Sequence, residues 1–228
     1  MLNLNGAIDR RFAHAELIDQ THPCRARAEA YVADVYRQRF DAEIGEFMPN
    51  LLCFYRQPGE LAAVVGLRCA ASSELFCEAY LGRAVESAIQ PLIGEPVSRS
   101  QVIEMGNFAA NDAGTARRLI LSLIPLLAEA GGRFVMFVAT RQLRNAFARL
   151  GLQPTTLGLA EADRLGAAAG RWGRYYDEQP QVMFGDLTRA PSWATQRLDC
   201  QSEQADSDAE PAEPVNPLLQ SELCAEAR

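Results

Sequence analysis

Residues 100–152 restrict the fold of this chain more than any other stretch. SQVIEMGNFAA (100–110) reads as a strand, NDAG as a turn, and a helix from about Thr115 to Ala130 closes on Gly131-Gly132. RFVMFVAT (133–140) is apolar almost throughout, as a strand covered on both faces must be, and RQLRNAFARLGL (141–152) is a second helix ending near Gly151. Two consecutive strands joined through a helix lie parallel, with a right-handed crossover. The chain is therefore expected to build an α/β domain.

The flanking segments fit around that unit. Pro23 opens a helix through CRARAEAYVADVYRQRF, in which Ala28, Tyr31, Val32, Val35, Tyr36 and Phe40 recur at helical spacing. LLCFYR (51–56) and LAAVVGLRCA (61–70), joined by QPGE, form a hairpin. Residues 74–93 read as helical with a stop near Pro91 and Gly94, and TTLGLA and QVMFGDL as late strands. One domain, 23–190, is expected between a polar N-terminal extension (1–22) and an acidic, Pro-rich, aperiodic tail (191–228) that reads as disordered.

Composition removes several chemistries. All 22 basic residues are Arg, so a Schiff-base lysine, a PLP lysine and a P-loop lysine are impossible. The two histidines, His14 and His22, lie close to the N-terminus, too few for a histidine-rich metal site or a Ser-His-Asp triad, and no metal is expected. Residues 197–228 hold eight acids against Arg197 and Arg228, which leaves the body near −1 of the total −7. Such a body carries no basic footprint for nucleic acid. Six scattered cysteines without a C-x-x-C pair read as reduced thiols of a cytoplasmic protein. No run approaches the roughly 20 apolar residues of a transmembrane helix, and the N-terminus lacks the order of a signal peptide.

Two places could carry chemistry. The turn NDAGTARR offers small residues, Gly114 and backbone N–H groups at a helix start, where a phosphate is attracted and where Arg117 and Arg118 can add charge-assisted bonds. Glu104 stands in an otherwise apolar strand. Burial would raise its pKa and make it a usable base for an amine; the alternative is an ion pair with Arg68 or Arg99.

From about Glu78 to Leu187, the order EAYL, VIEMGNFAA, AGTARRLI, FVMFVAT, LRNAFARLGL, WGRYYDEQPQVMFGDL resembles the signature series of the thermostable hemolysin family. That family resembles the acyl-homoserine lactone synthases and, through them, the GNAT acyltransferases. The resemblance implies a GNAT-like acyltransferase fold, a central mixed twisted sheet flanked by helices. It implies an acyl thioester donor, acyl-CoA or an acyl carrier protein (acyl-ACP), whose pantetheine arm pairs with strand 103–110 and whose diphosphate is cradled by 111–118. Phe108, Ala109, Ala113, Gly114, Thr115, Ala116, Arg117 and Arg118 would then hold the donor, and Asn145 resembles the GNAT asparagine that contacts the pantetheine arm. The two parallel strands should splay at their C-terminal ends to admit that arm.

On the same resemblance, Glu104, Met105, Gly106, Asn107 and Phe108 echo the synthases' acid, any residue, small, Arg, aromatic pattern, with Asn107 replacing the Arg. That departure argues against an S-adenosylmethionine-type acceptor. Tyr36, Arg39 and Phe40 resemble the substrate-contacting end of the synthases' first helix, and Arg68 their strand arginine; Asp41, Glu43 and Glu46 reproduce the synthases' acidic run only loosely. Glu104 and Asn107 are the catalytic candidates, with a tyrosine, Tyr175 or preferably Tyr176, to protonate the leaving thiolate. The function implied is transfer of an acyl group to a small amine acceptor. A membrane-acting hemolysin, as the family name says literally, and a non-catalytic acyl-CoA-binding protein are the alternatives.

An acidic, aperiodic tail buries little apolar surface, so deleting residues 197–228 should leave the melting temperature almost unchanged. A loss of several degrees in a thermal melt would show that the tail docks.

Overall fold

A computed structural model describes residues 12–190. In chain order the elements are β1 (His14–Ile18), α1 (Arg25–Phe40), β2 (Asn50–Gln57), β3 (Glu60–Cys69), α2 (Phe76–Leu81), α3 (Val85–Ile93), β4 (Val102–Ala110), α4 (Ala113–Glu129), β5 (Phe134–Ala139), α5 (Arg141–Arg149), β6 (Thr155–Leu159) and β7 (Gln181–Asp186). The strands form one seven-stranded sheet in the order β1-β2-β3-β4-β5-β7-β6. Only β4 and β5 run parallel, joined through α4 as their sequence requires; every other neighbour is antiparallel.

Strand alternation sorts the apolar side chains onto two faces. Leu52, Phe54, Ile103, Met105, Val135 and Phe137 pack with Leu119, Leu123 and Leu127 of α4 and Phe147 of α5. On the opposite face Leu51, Cys53 and Tyr55 meet Val32, Tyr36 and Phe40 of α1, while Val102, Phe134 and Met136 meet α2 and α3. No helix among the described residues is long and apolar enough to cross a membrane.

One irregularity shapes the centre. Opposite β3, Val64 pairs with Ala109 but Gly66 with Gly106, so Asn107 and Phe108 together oppose Val65 in a β-bulge. Asn107 sits at φ 46°, a left-handed conformation that Asn tolerates better than most side chains. The extra residue reverses the alternation: Glu104 faces the α2 side, and after the bulge it is the odd-numbered Ala109 that joins the α1 core. Pairing between β4 and β5 runs from Val102↔Phe134 to Met105↔Phe137 and stops there. Beyond that point the strands splay, as expected.

The structure refines the sequence reading in two places. β1 lies inside the stretch read as an extension, pairs with β2 from His14↔Tyr55 to Ile18↔Leu51, and buries Ile18 completely. It escaped notice because an edge strand of five residues carrying His14 and Glu16 has little apolar signal. The stretch 74–93 is helical as expected and ends at Gly94, but it is divided into two helices, because Gly82 (φ 63°) ends α2 in a left-handed cap. The buried carboxylate of Glu78 then accepts from Leu75 N and Val85 N, fixing the starts of α2 and α3 at once, and Arg99 Nη1 pairs with it at 2.6 Å. The tail at 191–228 lies outside the described residues.

The segment between β6 and β7 is laced to the end of α1. Arg174 N donates to Phe40 O and Glu43 N to Arg171 O, both at 2.7 Å. Gly173 lies between, at φ 52° with a hypothetical Cβ 2.3 Å from Phe40 O. Gly173→Ala should therefore cost about 2–4 kcal/mol and lower the melting temperature on the order of 5–15 °C. A variant that melts with the wild type would show that this lacing is not rigid.

Candidate active site

The splay of β4 and β5 opens a cleft of about 780 Å³ bounded by α1, the start of α4 and α5. That volume lies in the range of small-molecule and cofactor sites. Its floor is Phe108, Ala110 and Val138; its rim carries Arg39, Arg117 and Arg149. Backbone groups of β4 beyond Met105 have β3 on one side and no strand on the other, so an extended ligand can pair there.

At the start of α4 the helix is already capped. Asp112 accepts from Thr115 N at 2.8 Å and Thr115 Oγ1 at 2.7 Å, and Arg56 Nη2 reaches Asp112 and Thr115 at 3.0 and 2.9 Å. These hydrogen bonds hold the Asp112 carboxyl below its ordinary value. A phosphate at this terminus would meet a carboxylate, so the arginines of the rim must supply most of its attraction.

Deeper along β4 lies a second cavity of about 150 Å³. Tyr36, Phe108, Val138, Leu143 and Tyr175 line both spaces and form the junction. The cavity is covered by residues 43–48. Met48 lies on a floor of two paired glycines, since a Cβ at Gly66 or Gly106 would stand 2.6 or 2.5 Å from it. Asn107 ties this cover down: its Oδ1 accepts from Met48 N at 2.7 Å and its Nδ2 faces Glu46 O at 3.5 Å.

Glu104 closes the inner end at 1% exposure. Its carboxylate oxygens accept from Phe76 N at 2.9 Å and Cys77 N at 2.6 Å, and Arg68 Nη1 stands 3.9 Å away. Burial outweighs these favourable contacts and pushes the carboxyl above its ordinary value. Arg99, the other partner considered, is occupied by Glu78 and Glu86. Burial also pushes Tyr36 up to about 12, and its hydroxyl faces the backbone N–H of Phe108 at the bulge.

Of the residues expected from sequence, Phe108, Ala113, Gly114, Ala116, Arg117, Arg39 and Phe40 do line the large cleft, and Glu104, Asn107, Phe108 and Arg68 the inner cavity. Others stand elsewhere. Ala109 is fully buried against α1, Thr115 is consumed by Asp112 and Arg56, and neither Arg118 nor the exposed Asn145 is in either lining. Tyr176 is in neither lining and hydrogen-bonds Tyr80, which lines the inner cavity, at 2.8 Å, whereas Tyr175 and Tyr36 stand at the junction. Gln142, Ala146 and Arg149 of α5 were missed, although their helical spacing puts them on one face.

The profile of the thermostable hemolysin family matches residues 18–191, so the chain belongs to that family. No curated protein matches it in sequence. Among solved structures it is similar to FeeM, an N-acyl amino acid synthase from uncultured soil microbes, with a TM-score of 0.55, 14% identity, and 83% of this chain and 97% of that one covered. It is also similar to the AHL synthase LasI (TM-score 0.51, 12% identity, 76% and 90% covered). A third likeness is to MesI, a CoA-dependent acyl-homoserine lactone synthase (TM-score 0.50, 16% identity, 88% and 100% covered). The mixed, helix-flanked sheet is thus the GNAT-like fold of these acyltransferases.

The raised carboxyl of Glu104 makes a signed prediction. A folded state that holds the proton more tightly than the unfolded chain loses stability as pH rises through the folded pKa. Urea melts across the carboxylate range should therefore show wild type losing ground to Glu104→Gln with rising pH. A gap that widens in favour of wild type would mean that the α2 N–H groups and Arg68 dominate.

Proposed function

We propose that this member of the thermostable hemolysin family is an N-acyltransferase that moves an acyl group from a thioester donor, acyl-CoA or acyl-ACP, to a small amine. The observation that carries the reading is the end of β4–β5 pairing at Met105↔Phe137, which opens one large and one small chamber meeting at the same strand gap. A long pantetheine-bearing donor suits the large cleft and its arginine rim; a small acceptor suits the inner cavity. A third cavity of about 420 Å³, between the sheet and α4, touches Met105 and Phe137 from the other face and offers apolar space for an acyl chain.

The amine attacks the thioester carbonyl carbon, a C–N bond forms, and the oxyanion is held by backbone N–H groups of β4 beyond Met105. The C–S bond then breaks and the thiolate takes a proton from Tyr36, whose hydroxyl is held at the junction and is restored by the proton that the attacking nitrogen gives up. Asn107 acts by fixing the 43–48 cover, and Glu104 by holding the start of α2 and the orientation of Arg68. With both oxygens occupied, Glu104 is a positioning residue.

Consumption of acyl-CoA in the presence of an amine panel, read as released thiol, tests the reading directly. Replacing Arg117 and Arg149 together by Ala should raise the KM for acyl-CoA roughly 10- to 100-fold, the worth of one or two charge-assisted bonds. The KM for an acyl-N-acetylcysteamine thioester, which lacks phosphate, should stay unchanged; equal loss on both donors would remove the arginine rim from the proposal. Glu104→Gln should raise the acceptor KM with kcat kept within about tenfold, since loss of a true general base costs about 10²- to 10⁴-fold in kcat.

A further inference from the structure

We infer that the acceptor is a free α-amino acid with an aromatic or large aliphatic side chain, an inference that rests on the acyltransferase reading and names the ligand of its inner cavity. Size restricts the choice first. At about 150 Å³ the cavity falls well below the roughly 300 Å³ at which drug-sized sites begin. A space of that size suits a single amino acid better than a nucleoside-bearing sulfonium.

Its walls come next. Phe47, Phe76, Phe137, Trp172 and Tyr175 surround the space. Phe76 and Trp172 lie with ring centroids 6.0 Å apart, and Trp172 and Tyr175 5.1 Å apart. An apolar or aromatic side chain gains burial and ring contacts there, while a polar one would lose its water without replacement.

Charge then selects the polar end. Arg68 enters the cavity from β3 beside Glu104, its side chain 24% exposed. Its Nη1 donates to Glu74 O at 3.1 Å and stands 3.9 Å from Glu104 Oε2. The Glu104 oxygens are already engaged by Phe76 N and Cys77 N, so the ion pair is loose and a guanidinium with five N–H groups can reach a ligand as well. A planar fork of that kind takes a carboxylate in two parallel bonds. Arg68 pairs across the sheet with Glu104, one residue before β4 leaves β5. A carboxylate held there leaves the amine on the adjoining carbon next to the strand gap where the thioester enters. Glu43 and Glu46, in the exposed cover of the cavity, outnumber Arg171 of the same lining and favour an incoming ammonium over a second anion.

In the transfer the ammonium loses one proton to solvent, the neutral amine attacks the thioester carbon, and the second proton released by the nitrogen reaches the leaving thiolate by way of Tyr36. The new amide bond replaces the C–S bond, and the products are an N-acyl amino acid and the free thiol.

The test uses the full chain, an acyl-CoA, and three kinds of acceptor: phenylalanine or leucine, the corresponding amines without the carboxylate, and S-adenosylmethionine. The expected result is turnover with the amino acids, a KM about 10- to 100-fold higher for the decarboxylated amines, and none with the sulfonium. Arg68→Gln should raise the KM for phenylalanine by the same factor without changing that for phenethylamine, and Arg68→Lys, which keeps the charge and loses the fork, should fall between. Amines that serve as well as amino acids, or turnover with S-adenosylmethionine alone, would overturn the inference while sparing the acyltransferase. Should Arg68→Gln fail to fold, the wild-type ratio of amino acid to amine decides. Acyl-CoA that neither shifts the melting temperature nor is consumed with any acceptor would overturn both readings.

Discussion

The site depends on the place where two parallel strands stop pairing. In a buried sheet every backbone N–H and C=O needs a partner, and an interruption has to be maintained by something other than the ladder. Here the bulge at Asn107 supplies that. It displaces β4 by one residue against β3, and the Asn107 carboxamide, turned toward the 43–48 cover, holds Met48 over Gly66 and Gly106. Any side chain on those two glycines would collide with Met48, so cover, bulge and floor specify one another. The opening is built into the packing of the sheet and leaves β4 with a row of groups for a ligand to complete.

Two buried glutamates anchor the helices that wall the inner cavity, and they do so with opposite electrostatics. Glu78 gains two backbone N–H bonds and the Arg99 pair, which outweigh its burial and hold its carboxyl below the ordinary value. Glu104 has comparable N–H donors but a looser cation, and burial prevails. Stability from Glu78 is present above the unfolded carboxylate pKa and lost as pH falls through its folded value; that from Glu104 is lost as pH rises. The difference comes from the deeper burial of Glu104 and from where the arginine stands, 2.6 Å away from Glu78 and 3.9 Å from Glu104. A tight pair serves the scaffold, and a loose one leaves a guanidinium with capacity to bind.

Much of this was legible in the residues. The parallel β4–β5 pair follows from an apolar run, an amphipathic helix and a second apolar run, because few other arrangements bury those patterns. Burial of Glu104 follows from its apolar neighbours. What the sequence hides is direction. A step of one residue turns a side chain by about 100° around an α-helix, enough to place Ala146 in the cleft and Asn145 outside it. The same step separates Arg117 from Arg118, and in a 3₁₀ turn Tyr175 from Tyr176. The bulge was hidden for a related reason: VIEMGNFAA alternates well enough to pass for a regular strand, and only the register against β3 reveals the extra residue.

The two chambers also divide the physics of recognition. In the outer cleft the arginines are exposed, where individual charge pairs are screened and weak, and a ligand must engage several at once to be held. A donor bearing several phosphates, or a carrier protein with many acids, meets that condition, and a small monoanion does not. In the inner cavity one arginine is half-buried among aromatic rings, where a single bidentate contact counts for more because little water competes. On the proposed reading, donor selection by many weak contacts and acceptor selection by one strong contact can be varied independently. Substitutions on the rim should alter which donor is taken without touching the acceptor, since the chambers share only Tyr36, Phe108, Val138, Leu143 and Tyr175, none of which carries a charge at neutral pH.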